Sequence, residues 1–221
     1  HDQRMLESGY IFATMNHVHI HAKKDGITEI DIFGQIGDSF FEEGNTLDTI
    51  KAQVETIEGA LVVNIASLGG DALEGLAIHD LLASKDNTTV NIVGATASAG
   101  AIIASAGDTV NISENSLFLI HNSSSLVFGN ADEIDKHADS MRKVDDRMTS
   151  VFVSRTGKEE SEIRELMTED KFIDADEALE FGFVDAITKP VKLAARVDMK
   201  KVSASKELTD AQKEQIKSTI K

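Results

Sequence analysis

Apolar and polar positions alternate over residues 10–21 and 28–35, the two-residue period of strands covered on one face. Asp25-Gly26 between them is a hairpin-type turn signal. The period then lengthens. Leu47, Ile50, Val54 and Ile57 recur at helical spacing within residues 45–57, and a short apolar strand follows at 60–66. Residues 71–85 carry Leu73, Leu76, Ala77 and Leu81 on one helical stripe. A β-branched run, Val90-Asn91-Ile92-Val93, stops at Gly94, small residues follow, and a helical segment begins at once over 98–105. Short strands are expected at 109–112 and 117–120. Ile134, Ala138, Met141, Met148 and Phe152 mark a long amphipathic helix over 131–155. A short helix at 161–167 is followed by one over 175–181, capped by Asp174 and closed by Gly182, and by a last strand at 183–187.

Alternating strands and helices imply an α/β domain with a largely parallel sheet. In such sheets, sites gather where strands run into helix N-termini. Two such junctions stand out, at 66–71 and 94–99. Pro190, the only proline, marks the end of the compact domain, expected to span 1–188. Residues 189–221 form a polar, basic tail. From Thr188 onward nine Lys/Arg stand against four Asp/Glu, a net of +5, while the rest carries 13 basic and 34 acidic residues, a net of −21.

Composition narrows the function. The 221 residues are 41% hydrophobic, enough for a full core. An acidic body argues against nucleic acid as a partner. Without cysteine there is neither a disulfide framework nor a thiolate metal site. No apolar run approaches the roughly 20 residues that span a bilayer. With no secretory signal at the N-terminus, no membrane partner is expected and the cytoplasm is the expected compartment.

The junction at 94–99 carries the candidate chemistry. A serine at the start of a helix has its hydroxyl beside unpaired N–H groups at the positive end of the helix dipole. Ser98 is there, either as a cap or as a nucleophile served by the same amides that would hold an oxyanion. The tetrapeptide Ala-Ser-Ala-Gly recurs at 104–107, but Ser105 faces the carbonyl end of the helix and reads as packing, with Gly107 as the residue that ends it. At the other junction, Ser67-Leu68-Gly69-Gly70 is a turn able to present N–H groups.

A nucleophilic serine needs a base. His17, His19 and His21 share one strand face, with no carboxylate at ligand spacing beside them in the sequence. An exposed face accounts for them without a metal. His79 and His137 lie on helices. His121 directly follows the apolar strand Leu117-Phe118-Leu119-Ile120, at the strand end where site residues of α/β folds sit.

At this point the chain resembles the Clp protease proteolytic subunit (ClpP) family. Residues 94–101, Gly-Ala-Thr-Ala-Ser-Ala-Gly-Ala, are similar to its serine motif, and Leu119-Ile120-His121-Asn122 to its histidine motif. Ser67-Leu68-Gly69-Gly70 resembles its Ser-Pro-Gly-Gly oxyanion loop. Residues 169–178 resemble the segment that holds the acid, and 180–185 the close of the domain. The likeness runs over about residues 28–188, in order. It implies a ClpP/crotonase-like spiral of repeated β-β-α units with a protruding handle helix at 131–155. It implies Ser98 as nucleophile, His121 as general base and Asp170 as orienting acid, with Glu169 and Asp174 close by in sequence. It implies the amides of Gly69 and Ala99 as the oxyanion hole, a polypeptide substrate, no cofactor and no metal, and a ring-shaped homo-oligomer.

The departures point within the family. Leu68 stands where the family has proline, and Asn122-Ser123 where the housekeeping enzymes have Gln-Pro. Around Val62 and Asn64 those enzymes carry tyrosines that help dock an ATPase unfoldase. This chain has one tyrosine, Tyr10, so docking of a Clp-type ATPase is not expected. The features look more like the ClpP-related proteases of phages and prophages, which process capsid or scaffold proteins. The alternatives are a conventional Clp subunit working with an ATPase, a crotonase-type acyl-CoA enzyme using the two amide junctions without a nucleophile, and a non-catalytic assembly protein on the same fold.

Overall fold

The computed structural model describes residues 19–22, 26–39, 43–55, 57 and 59–190. The expected strand before His19, Asp25 of the expected hairpin turn and the basic tail from 191 lie outside the described residues.

Among the described residues the main sheet has six strands. In chain order they are β1 (His19–Ala22), β2 (Ile27–Ile36), β3 (Ala60–Gly70), β4 (Thr88–Ile92), β6 (Thr109–Ser113) and β8 (Ala186–Thr188), and they lie side by side in that same order. β1 is antiparallel to β2, and every other neighbouring pair is parallel. A second, two-stranded parallel sheet joins β5 (Ala95–Ala97) to β7 (Leu117–Leu119). Ile30, Ile32, Val63, Ile65, Val90, Ile92, Val110 and Ile112 alternate along the main sheet and lie in the core. Parallel strands favour such β-branched runs because helices cover them.

The helices are α1 (Leu47–Val54), α2 (Ala72–Ala83), α3 (Ala99–Ala104), α4 (Ala131–Thr156), α5 (Glu160–Glu169) and α6 (Ala175–Phe181). Asp71 caps α2, its Oδ1 accepting the N–H groups of Leu73 and Glu74 at 2.8 and 3.0 Å. Asp174 caps α6 and Gly182 closes it in the left-handed region, as the sequence signals require. In α4 the first six residues are exposed, while Met148, Thr149 and Phe152 in its second half are buried. Phe152 and Phe118 both pack on Phe183, fastening α4 and β7 to the chain after α6.

Four elements depart from expectation. Residues 95–97, expected only as small residues before a helix, form β5 because they pair with β7. β3 runs through the two glycines to Gly70, because β2 shifts register after Phe33 and pairs Gln35 with Gly69 and Ile36 with Gly70. α3 ends at Ser105 in a right-handed conformation, and Gly107 does not take positive φ. Gly107 is needed for space instead, since a Cβ there would sit 2.9 Å from the Thr109 carbonyl oxygen and from the Val90 side chain. The last strand shortens to three residues because Phe183 and Val184 turn into the core.

The face of the sheet opposite the core carries an amide row. Asn111 Nδ2 donates to Asn91 Oδ1 and Asn91 Nδ2 to Asn64 Oδ1, both at 3.0 Å. Asn64 Nδ2 donates in turn to Glu29 Oε1 at 2.8 Å and Asp31 Oδ1 at 2.7 Å. No helix among the described residues is long and apolar enough to cross a membrane.

Candidate active site

The two-stranded sheet is the device that gathers the candidate residues. β5 ends one residue before Ser98 and β7 ends two residues before His121. Pairing of Ala97 with Leu119 sets the strand ends side by side, and the Ser98 N–H continues the ladder by donating to the Leu119 carbonyl at 3.0 Å. On the other side of β7, Phe118 and Ile173 exchange both backbone hydrogen bonds, at 2.9 and 2.8 Å. That antiparallel bridge draws the segment after α5 alongside β7, and Asp170 comes with it. His121 Nδ1 lies 3.6 Å from Asp170 Oδ1.

Ser98 does not sit in the first turn of the helix. It precedes α3 with φ 56° and ψ −125°, and its carbonyl accepts from Ala101 and Ile102. Its hydroxyl makes no capping bond, so a capping role does not account for the serine. Backbone in this region suits glycine, and holding a side chain there costs about 1–3 kcal/mol. Asp170, at φ 47° and ψ 48°, is also left-handed. Among the described residues, the only non-glycine positions with positive φ are these two and Asn87. Strain of this kind concentrates at functional sites.

The neighbouring acids are engaged elsewhere. Glu169 pairs with Lys171 at 2.6 Å, and Asp174 accepts the Glu177 N–H at 2.9 Å. Of the other histidines on described helices, His79 meets the adjacent Asp80 at 3.0 Å and His137 lies on α4 with its Nε2 buried and unpartnered. Ser105 donates its hydroxyl to the Ala101 carbonyl at 2.9 Å, the packing role its place at the helix end implies.

The two amide junctions meet. A Cβ at Gly69 would lie 2.6 Å from Ser98 Cβ and 3.0 Å from the Ala99 nitrogen, so this approach is open only to glycine. Gly75 on α2 similarly admits Ala99, because a Cβ there would stand 2.9 Å from the Ala99 Cβ. The Gly69 N–H, however, points inward and donates to Ser67 Oγ at 3.0 Å. Gly69 is buried and Gly70 exposed, so Gly70 is the residue of the pair that meets solvent. Sequence reasoning passed over Ser67. The serine two residues before the first glycine was its only available signal.

No curated protein matches the chain. The Clp protease family profile matches residues 33–191, from within β2 through both junctions, the histidine strand and α4 to α6. With the greater part of the chain matched in this way, and with a mixed α/β fold built on a parallel sheet, the protein belongs to the Clp protease family.

Proposed function

We propose that this ClpP-like peptidase is a serine endopeptidase in which Ser98 is the nucleophile, His121 the general base and Asp170 the acid that orients it. The approach of His121 Nδ1 to Asp170 beside the strand end that carries Ser98 is the observation that supports this reading most directly. With Nδ1–H directed at Asp170, Nε2 holds the lone pair. Nε2 takes the Ser98 proton as Oγ attacks the peptide carbonyl carbon, then returns it to the leaving amine as the C–N bond breaks. Water, deprotonated by the same Nε2, releases the acyl group from Ser98. The carboxylate of Asp170 steadies the imidazolium formed in both steps. The 3.6 Å separation is slightly too long for a hydrogen bond, and such contacts commonly tighten when substrate binds.

The Ala99 N–H at the start of α3 is one oxyanion donor. The other comes from the glycine loop. Because Ser67 engages the Gly69 amide, Gly70 is the better placed of the two glycines to donate. No metal or organic cofactor enters this chemistry.

A crotonase-type acyl-CoA reaction would employ the amides but leave the His121–Asp170 pair without a task. The discriminating experiment is labelling with a fluorophosphonate probe, with the adduct located by mass. A single adduct on Ser98, absent in Ser98→Ala, is expected. A protein that stays unlabelled while a control hydrolase reacts would remove the peptidase reading.

Within the family, the phage and prophage head-maturation type fits best. Asn64, near the place of the docking tyrosines in the housekeeping enzymes, is buried and tied to Glu29, Asp31 and Asn91, a hydrogen-bonded polar cluster in place of aromatic side chains. On this reading the substrate is a capsid or scaffold protein, and no ATPase is required. Members of the family typically form rings. Leu126 and Phe128, 82% and 86% exposed on the segment leading into α4, are apolar surface that a homo-oligomer would cover. The exposed start of α4 then corresponds to the handle. The domain ends near 188, and 189–221 is an appended tail. Co-expression with a phage capsid or scaffold protein tests the substrate: cleavage that depends on Ser98 and proceeds without an ATPase supports it, and an intact capsid protein beside an enzyme active on peptides removes it.

A further inference from the structure

Ser67 touches both halves of the site and has no assigned part in it. It lies at the inner end of the glycine loop, only 2% exposed. Its Oγ accepts the Gly69 N–H, closing a two-residue side-chain turn of the kind serine forms with the amide two positions ahead. Its carbonyl and Cβ lie against α3: a Cβ at Gly100 would stand 2.7 Å from the Ser67 carbonyl oxygen and 3.1 Å from its Cβ. One buried residue thus joins the loop bearing Gly69 and Gly70 to the helix start bearing Ala99.

Pairing with Gln35 and Ile36 holds the loop from the β2 side, but on the side of Ser98 its own residues are permissive. Leu68, 63% exposed, has no ring to fix its φ as a proline would. Gly69 and Gly70 stand at φ 99° and 147°, in conformations that glycine enters and leaves freely. A loop that must present an amide to a developing oxyanion needs its geometry settled before the reaction.

We propose that Ser67 is a positioning residue for the oxyanion site. By holding the Gly69 amide inward, its hydroxyl sets the Gly69–Gly70 peptide against Ser98 and leaves the Gly70 N–H to the substrate carbonyl. The proposal rests on the serine-peptidase reading above. It concerns placement of a donor, so its signature lies in the chemical step and not in substrate affinity or in the titration of the base.

The test compares Ser67→Ala and Ser67→Cys with the unmodified full chain, using a peptide substrate and the fluorophosphonate probe. Ser67→Cys keeps the volume and loses most of the acceptor strength, so it reports on the hydroxyl even if Ser67→Ala folds poorly. The expected result is a fall in kcat of about 10- to 100-fold in both variants, the scale of a modest misplacement of catalytic groups. KM should stay within about twofold, the acid limb of the kcat/KM profile should not move, and probe labelling should slow in parallel. Wild-type kcat in both variants would overturn the proposal. So would a fall in kcat accompanied by a displaced acid limb and a lowered melting temperature, which marks a general structural role. If the unmodified protein neither hydrolyses peptides nor labels at Ser98, the peptidase reading itself has failed and the role of Ser67 goes with it.

Discussion

His121 Nδ1 and Asp170 Oδ1 stand 3.6 Å apart although their residues belong to segments separated by the whole of α4 and α5. The reciprocal backbone bonds between Phe118 and Ile173 bring them together, and the left-handed turn at Asp170 aims the carboxylate. Asp170→Asn keeps that turn, because asparagine tolerates left-handed backbone, and removes only the charge. Peptidase kcat should fall by about 10²- to 10⁴-fold with the fold intact, the scale seen when a triad acid is neutralised in other serine proteases. Glu169→Gln serves as the control: its partner is Lys171, and steady-state kinetics should show little change.

Ser98 is held in backbone that suits glycine. Ser98→Gly should abolish hydrolysis while raising stability by about 1 kcal/mol through relief of that strain, or about 2–4 °C in melting temperature for a domain of this size. Calorimetry beside an activity assay reads both. A melting temperature that drops would show that the serine side chain stabilises the fold.

Asp185 gives a pH-dependent contact remote from the chemistry. Burial pushes its carboxyl pKa up, but the Val110 N–H at 2.7 Å and the Arg155 guanidinium outweigh this and leave it below the usual aspartate value. A lowered folded pKa means that the unfolded chain binds the proton more readily. The stabilisation is therefore fully present above the unfolded value of about 3.9 and is lost as pH falls through the lower folded value. Asp185→Asn should lower the melting temperature near neutrality, and the gap to wild type should close on acidification below about pH 4. Half the side chain is exposed, so the effect is tempered by solvent.

Leu126 and Phe128 contribute almost nothing to the core of a single subunit. The double substitution Leu126→Asp/Phe128→Asp should shift the protein to a smaller species in light scattering after size exclusion, with an unchanged far-UV circular dichroism spectrum. An unaltered particle mass would show that this segment is not an interface between copies.

Much of the fold was legible along the chain. The helical period placed α2 and α4, the Asp174 and Gly182 signals bounded α6, and the β-branched run of 90–93 placed β4, because these depend on neighbours within a few residues. The face was not legible in α2, which buries Gly75, Ile78 and Leu82 and not the expected stripe, with Leu73 exposed. Elements whose limits depend on partners were misjudged. The extension of β3 through Gly70 follows from pairing with β2, and the shortness of β8 from the burial of Phe183 and Val184. Gly107 looked like a helix terminator, whereas its lack of a side chain serves contact with Val90 and Val110.

The sequence by itself determined the order of the candidate groups: two glycines after an apolar strand, a serine at the start of a small-residue helix, a histidine after β7 and an acid after α5. The tertiary structure decided which of several acids approaches the histidine, that the serine hydroxyl caps nothing, and that Ser67 turns the Gly69 amide inward. The reason is physical. Residue type and period act over a turn or two of chain, whereas the direction of an amide or a carboxylate is set by hydrogen bonds between segments that meet only when the sheet and its crossovers close.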